Sequence, residues 1–467
     1  MAETTVVTRR TAPCLTGCAR VFGAVALLLA LAACGGGDGG NSAPAVAAPA
    51  NCSASEQKRW LGDYLDTYYF WSAQAPRPDP APFATADDLL AARLYTGSDP
   101  AFPAPDRFSG SQAAESFARF FGEGESLGYG VSVAGLEVLG QPERPLYVRF
   151  LEPLSPAGLA GVRRGDEVLS LNGRSAADII AANDFSALTA ASEGRQLVLR
   201  LRDRDGIERT VTLISAVFRL SPVPLHLVLN TDGGRRVGYL VMKDMISQSQ
   251  AALATTFARF RADGVQDLVL DLRYNGGGLV SVGGWLASYA AGTRGAGLDY
   301  TVLRHNAQRA AVDDRRFGFS TFGSALSLPR VTVLTGPRTC SASEQVINGL
   351  RGAGIEVTTV GDTTCGKPVG SNPVTQCERT YSVINFEGVN ARGEGRYFDG
   401  LPATCEVAED FSQPLGSSSE PLLATALQRI DTGVCRASPL PSALPGSARA
   451  AMRRAAVPGE GGGMLPR

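Results

Sequence analysis

The chain has 467 residues, 44% of them hydrophobic, which is ample for a real core and predicts two to four domains. Its formal net charge is −1, so neither nucleic acid nor an acidic surface is indicated as a partner. With only two histidines (His226 and His305), no G-x-S-x-G elbow, no Walker loop, no H-E-x-x-H and no C-x-x-C, the composition argues against a histidine-based hydrolase and a zinc enzyme, and no cofactor is implied.

Residues 1–34 read as a targeting segment. Arg9, Arg10 and Arg20 precede the apolar run 21–33, which is too short for a comfortable membrane span. The run ends Leu31-Ala32-Ala33-Cys34, which resembles a bacterial lipobox and would make Cys34 the lipidated first residue of the mature chain. An ordinary signal peptide or an uncleaved anchor is the competing reading. Gly35 follows, rather than Asp, which looks like an outer-membrane address, so the expected location is the cell envelope, lipid-anchored and facing the periplasm. Residues 35–51 form a Gly/Ala/Pro tether with nothing to bury.

Residues 52–122 read as a mainly helical region. A helix over 57–72 gathers Trp60, Leu61, Tyr64, Leu65, Tyr68 and Phe70 largely on one side, and a second starts after Thr85 and runs to about Tyr95. A third apolar patch, 113–121, holds Phe117, Phe120 and Phe121; these aromatics fit core packing better than a peptide groove. Residues 123–217 look like a PDZ domain. The string Gly128-Tyr129-Gly130-Val131 resembles the loop and strand that receive a peptide C-terminus, where backbone N–H groups bind the carboxylate and the strand edge pairs with the peptide. Gly165-Asp166-Glu167-Val168-Leu169-Ser170-Leu171-Asn172-Gly173 supplies the turn, strand and tight turn of such a module, and 197–201 and 210–214 alternate as half-buried strands do.

The core is expected over 218–436. It opens with a strand at 238–242 and a helix at 247–262, then the buried-strand run Leu268-Val269-Leu270-Asp271-Leu272, which leads into Asn275-Gly276-Gly277-Gly278. The polar, Arg-rich stretch 301–322 is a candidate edge hairpin. A strand at 331–334 follows, then a turn at Gly336-Pro337, a helix opening on Ser341-Ala342-Ser343-Glu344, and a strand at 355–360. A glycine-flanked loop then carries Lys367. Further strands are expected at 381–385 and 396–398, and a last helix at 421–429. Residues 437–467, rich in Pro, Ala, Arg and Gly, read as a disordered tail.

Ser341-Ala342-Ser343-Glu344 has a plain structural reading as a capping box. Lys367 shifts the balance. Lysine is rare here (Lys58, Lys243 and Lys367 only), and a buried ammonium can give up its proton where a guanidinium cannot. Lys367, desolvated and neutral, would take the proton from Ser341 Oγ. The Ala342 N–H at the helix start, with an N–H from the triple-glycine loop, would hold the oxyanion.

Together LVLDLRYNGGG, TCSASE and GKPVG resemble the C-terminal processing (tail-specific) serine peptidases, and the likeness runs in order over roughly 55–435. The resemblance implies an α/β, crotonase-like catalytic core of ββα units with a small helical N-terminal region and an inserted, mainly β PDZ domain. It implies Ser341 as nucleophile, Lys367 as general base, and Ala342 with Gly277, or Gly276 in its stead, as oxyanion donors. Ser371 stands where well-known members carry a glutamine, so no third catalytic residue is carried over. The expected partners are protein or peptide substrates held by their C-termini, and the membrane through lipid on Cys34. The alternative is a catalytically weak or inactive peptide-binding lipoprotein on the same fold. Six cysteines remain beyond the leader and Cys34, and the expected pairs are Cys340–Cys365, Cys377–Cys405 and Cys52–Cys435.

Overall fold

The run Leu268–Leu272 lacks the polar alternation of a half-exposed strand, and it lies in the middle of a six-stranded sheet covered on both faces. The computed structural model describes residues 46–436 and Leu465. Across this sheet the strands run Leu225–Asn230, Arg236–Val241, Asp267–Asp271, Arg330–Thr335, Glu356–Gly361 and Cys405–Glu406; the first pair is antiparallel and every later neighbour is parallel. Helical crossovers are required between parallel neighbours. Ser249–Ala262 joins the second strand to the third, and Ala342–Gly352 joins the fourth to the fifth.

Alternation sorts the side chains of each strand. Leu240, Leu268, Leu270 and Val333 share a core with Phe257, Val346 and Ile347 from these two helices and with Leu286 of the helix Val280–Ala291. Tyr239, Val269, Leu334 and Val360 face the other way, onto Leu422, Leu423, Leu427 and Ile430 of the last helix, Pro421–Thr432. Among the described residues no helix is long and apolar enough to cross a membrane.

A second, antiparallel sheet orders Arg315–Gly318, Asp299–His305, Ile384–Val389 and Val369–Ser371, so the Arg-rich stretch is indeed an edge hairpin. The helices Ala54–Tyr68 and Ala86–Arg93 share a core with this region: Trp60, Leu61, Leu65 and Trp71 pack with Val369, Tyr381, Val383 and Ile384. Thr85 caps the second helix through a reciprocal box with Asp88. Residues 396–398 are not the expected strand: 396 and 397 have no regular structure, and a turn begins at Phe398. Arg396 sits at φ 62°, outside extended geometry, and pairs with Glu387 at 2.9 Å.

Between these parts lies a module with its own apolar core, including Tyr129, Val148, Val168, Ile180, Leu199 and Leu213. Its sheet runs Val131–Val133, Leu146–Leu151, Glu167–Leu171, Gln196–Arg202 and Glu208–Ile214. The chain enters and leaves side by side, because Glu125–Gly128 pairs antiparallel with Ala216–Arg219. A segment that closes on itself this way can be inserted without disturbing its host. Two ion pairs tie it back to the core, Arg338–Glu137 and Arg164–Glu409.

The disulfides correct two of the three expected pairings. Cys340–Cys365 is formed, but Cys52 pairs with Cys377 and Cys405 with Cys435. Burial of the first helix against the 379–384 region brings Cys52 to Cys377, and the sixth strand of the main sheet delivers Cys405 to the end of the last helix.

Candidate active site

Three consecutive parallel strands end on the same side of the sheet, where α/β folds place their ligands. The Asp267–Asp271 strand leads to Gly277, Arg330–Thr335 leads to Ser341, and Glu356–Gly361 leads to Lys367.

Ser341 is the N-cap of the Ala342–Gly352 helix, with φ 63° and ψ −119°, a conformation that L-residues other than glycine avoid. Such strain costs on the order of 1–3 kcal/mol and persists only where the surroundings over-determine it. They do so here. Thr339 Oγ1 donates to the Leu272 carbonyl at 2.9 Å and accepts from Gly336 N–H at 3.0 Å, while Cys340 N–H donates to the Asn275 carbonyl at 3.1 Å. Ser341 is fully buried, and its Oγ has no hydrogen-bond partner among the described residues. An unpaired buried hydroxyl costs about 1–3 kcal/mol more. Ser341 carries both costs at once, and its place as N-cap requires neither.

Glu344, read from the sequence as half of a capping box, does more than cap. Its carboxylate accepts from Ser341 N–H at 2.9 Å and, through the same oxygen, from Lys367 N–H at 2.8 Å. The other oxygen takes Gly366 N–H at 2.8 Å and the Thr364 hydroxyl. One buried carboxylate therefore clamps the serine turn to the lysine loop, and burial pushes its pKa up. The Cys340–Cys365 bridge joins the same two segments. Gly366, at φ 85°, lies so close to the Phe398 carbonyl that a Cβ would come within 2.2 Å. The Gly400-Leu401 turn braces the loop from outside, with Leu401 N–H on Thr364 Oγ1 at 2.7 Å.

Lys367 is 7% exposed, and its ammonium lies 5.1 Å from the centre of the Phe108 ring. Burial lowers its pKa from 10.5 to about 8, against the opposing charges of Asp106 and Glu344, so a sizeable fraction is neutral near physiological pH. No hydrogen bond joins its amine to Ser341 Oγ in this conformation.

Gly277, at φ 103°, packs directly on the serine: a Cβ would meet Ser341 Cβ at 2.8 Å, the Cys340 carbonyl at 2.9 Å and Ala342 N at 3.0 Å. Its N–H is occupied, donating to Asn275 Oδ1 at 2.8 Å. Asn275 is wholly buried, and it also receives the Ser343 hydroxyl at 2.8 Å and donates to the Met242 carbonyl at 3.0 Å. The Ala342 N–H has no acceptor among the described residues. Ala342 and Gly277 thus both flank Ser341, one with a free donor and one with a donor held by Asn275. Sequence reasoning missed Asn275 and the clamping role of Glu344. Their signals were the Asn ahead of three glycines and the fourth letter of Ser-Ala-Ser-Glu.

Asp271 and Arg273 play the structural part expected of them. Arg273 bonds Asp271 at 2.9 Å and grips Glu420 with two bonds of 2.8 and 2.9 Å. Cys340, Glu344 and Cys365 form the one metal-like cluster among the described residues. It does not fit a metal: both sulfurs are consumed in the disulfide and four protein donors engage the carboxylate.

Gly128, Tyr129, Gly130 and Val131 lie in the separate module. Tyr129 is buried in that module's core, with its carbonyl accepting from Ala157 N–H at 3.0 Å. Gly130 accepts from Glu152 N–H at 2.9 Å, and Val131 opens an edge strand paired only with Leu146–Leu151. Cys34 lies outside the described residues.

Fold and site together define an α/β protein with a strained, buried serine at a helix start and a depressed-pKa lysine on the next strand exit. Two models of one peptidase family match parts of the chain: residues 236–389 match Peptidase family S41, and 56–110 match the Peptidase S41 N-terminal domain. It is 29% identical over 272 residues to carboxyl-terminal-processing peptidase 1 of Arabidopsis thaliana chloroplasts, covering 56% of this chain and 53% of that one. It is 29% identical over 225 residues to the carboxy-terminal processing protease CtpB of Bacillus subtilis, covering 46% and 42%. The chain spans about half the length of the curated relatives it matches. A crystal structure of an S41-type protease from Bacteroides fragilis shares the fold, with a TM-score of 0.63 at 23% identity over 80% of this chain and 97% of that one.

Proposed function

We propose that this chain is a serine endopeptidase that cleaves protein or peptide substrates with a Ser341–Lys367 dyad. One observation carries the reading: a strained serine with an unpartnered hydroxyl is held by a single carboxylate against the loop of a lysine depressed to about 8. In the reaction neutral Lys367 takes the proton as Ser341 Oγ attacks the peptide carbonyl carbon. The oxyanion gathers at Ala342 N–H, with Gly277 N–H as second donor once it leaves Asn275, or Gly276 N–H in its stead. Collapse breaks the C–N bond, the ammonium of Lys367 protonates the departing amine, and water then hydrolyses the acyl-serine by the reverse relay. The occupied Gly277 donor makes the present conformation a resting one, as a substrate-gated peptidase requires.

In this reading the core is crotonase-like, and the 123–217 module is a PDZ domain that receives an apolar substrate C-terminus on the open edge of Val131–Val133. Lipid on Cys34 holds the enzyme at the outer membrane, facing the periplasm. The three disulfides suit that oxidising compartment. The test is degradation of an unfolded protein with an apolar C-terminus. Parent protein is expected to degrade it, while Ser341→Ala and Lys367→Ala each lose at least about 10³-fold with melting temperature retained. Cleavage surviving in either variant would exclude the dyad. Absence of cleavage in a folded parent would favour the inactive peptide-binding alternative.

A further inference from the structure

The loop that packs on Ser341 carries a guest from the far end of the chain. Leu465 lies in parallel register with Leu279. Its N–H donates to the Gly278 carbonyl at 2.9 Å, and its carbonyl accepts from Val280 N–H at 2.6 Å. Val280 opens the helix Val280–Ala291, so its N–H is one of the donors a helix start leaves unfilled. The Leu465 side chain is 3% exposed and joins the apolar cluster of Met245, Leu279, Val280 and Ala342. This departs from the expectation of a wholly disordered tail; the other residues of 437–467 lie outside those described.

Two backbone hydrogen bonds and one buried apolar side chain are the contacts an extended peptide makes when it adds to an exposed backbone edge. The location gives them meaning. Gly278 directly follows Gly277, whose α-carbon packs against Ser341, and Ser341 is completely buried with Leu465 seated. We infer that Leu465 of the chain itself occupies the substrate track beside the nucleophile, competes there with substrate, and marks a subsite for a leucine-class side chain. This rests on the peptidase reading above. A tethered segment needs little intrinsic affinity, because tethering raises its effective concentration.

The test compares the full chain with Leu465→Asp and Leu465→Met on a peptide substrate. An internal competitor raises KM and leaves kcat alone. Leu465→Asp is therefore expected to lower KM roughly ten-fold at unchanged kcat, with Leu465→Met resembling the parent. An added synthetic peptide of residues 458–467 should raise the KM of Leu465→Asp again. An unchanged KM, or a fall in kcat together with melting temperature, would make Leu465 a structural residue and overturn the inference. A second arm needs no catalysis: the labelled 458–467 peptide is titrated by anisotropy into the Ser341→Ala, Leu465→Asp full chain. Saturable binding supports the inference even if no variant cleaves, which would then count against the peptidase reading alone. No binding up to about millimolar peptide, the effective concentration a short tether supplies, overturns the inference even if the parent cleaves well.

Discussion

At Ser341 the backbone and the side chain are both in unfavourable states, and neighbouring residues hold them there. The same residues set the behaviour of Lys367. Because burial lowers its pKa to about 8, the neutral amine gains population as pH rises through that value. kcat/KM is expected to climb tenfold per pH unit below about 8 and to level above it, as a pH–rate profile with a peptide substrate will show. Glu344 adds a second handle. Its negative charge favours the charged lysine, so Glu344→Gln should move that apparent pKa downward. An amide also cannot accept from all four donors now bound, so one N–H or hydroxyl loses its partner and stability should fall by about 1–3 kcal/mol in denaturant titration.

At the scale of elements, the site is a junction of three strand exits rather than a property of any one of them. The 272–278 turn fits under the Ala342–Gly352 helix because nothing projects from Gly277. Gly277→Ala would drive a methyl into Ser341 and Cys340 and force alanine to φ 103°. We expect it to cost about 1–3 kcal/mol of stability and at least tenfold in kcat, measured by thermal melting and peptide turnover. Asn275 is the natural latch of this junction. It holds the Gly277 N–H now, and it is bound to Ser343 in the first turn of the Ala342–Gly352 helix. A shift of that helix would therefore reach the Gly277 N–H directly.

Across the whole molecule, distant segments converge through covalent and ionic ties. Cys52–Cys377 spans a sequence separation of 325 and pins the N-terminal helices against the sheet that begins near Lys367. Replacing both cysteines by alanine is expected to lower stability by about 2–5 kcal/mol, read from chemical denaturation, while peptide cleavage at low temperature survives because Ser341 and Lys367 are untouched. The inserted module reaches the site through Arg338, three residues before Ser341 and paired with Glu137, and through Arg164, which contacts Tyr274 just ahead of Asn275. The module's contacts thus reach both segments that flank Ser341.

The sequence by itself determined the local features: which strand is buried, where the helix after Ser341 begins, which lysine is set apart, and where a self-contained β module interrupts the core. Period, caps and glycine clusters are short-range signals, and Leu268–Leu272, Ser341-Ala342-Ser343-Glu344 and the Lys367 loop carry them openly. Only the tertiary structure decided the long-range pairings. Cys52 meets Cys377 rather than Cys435 because a helix buries Trp60 and Leu65 against a sheet formed hundreds of residues later. Glu344 serves as a clamp, Gly277 N–H rests on Asn275, and Leu465 lies beside Leu279, for the same reason. Each of these contacts exists only after parallel strands have stacked their exits on one side. Loop closure over such separations leaves no periodic mark on the chain.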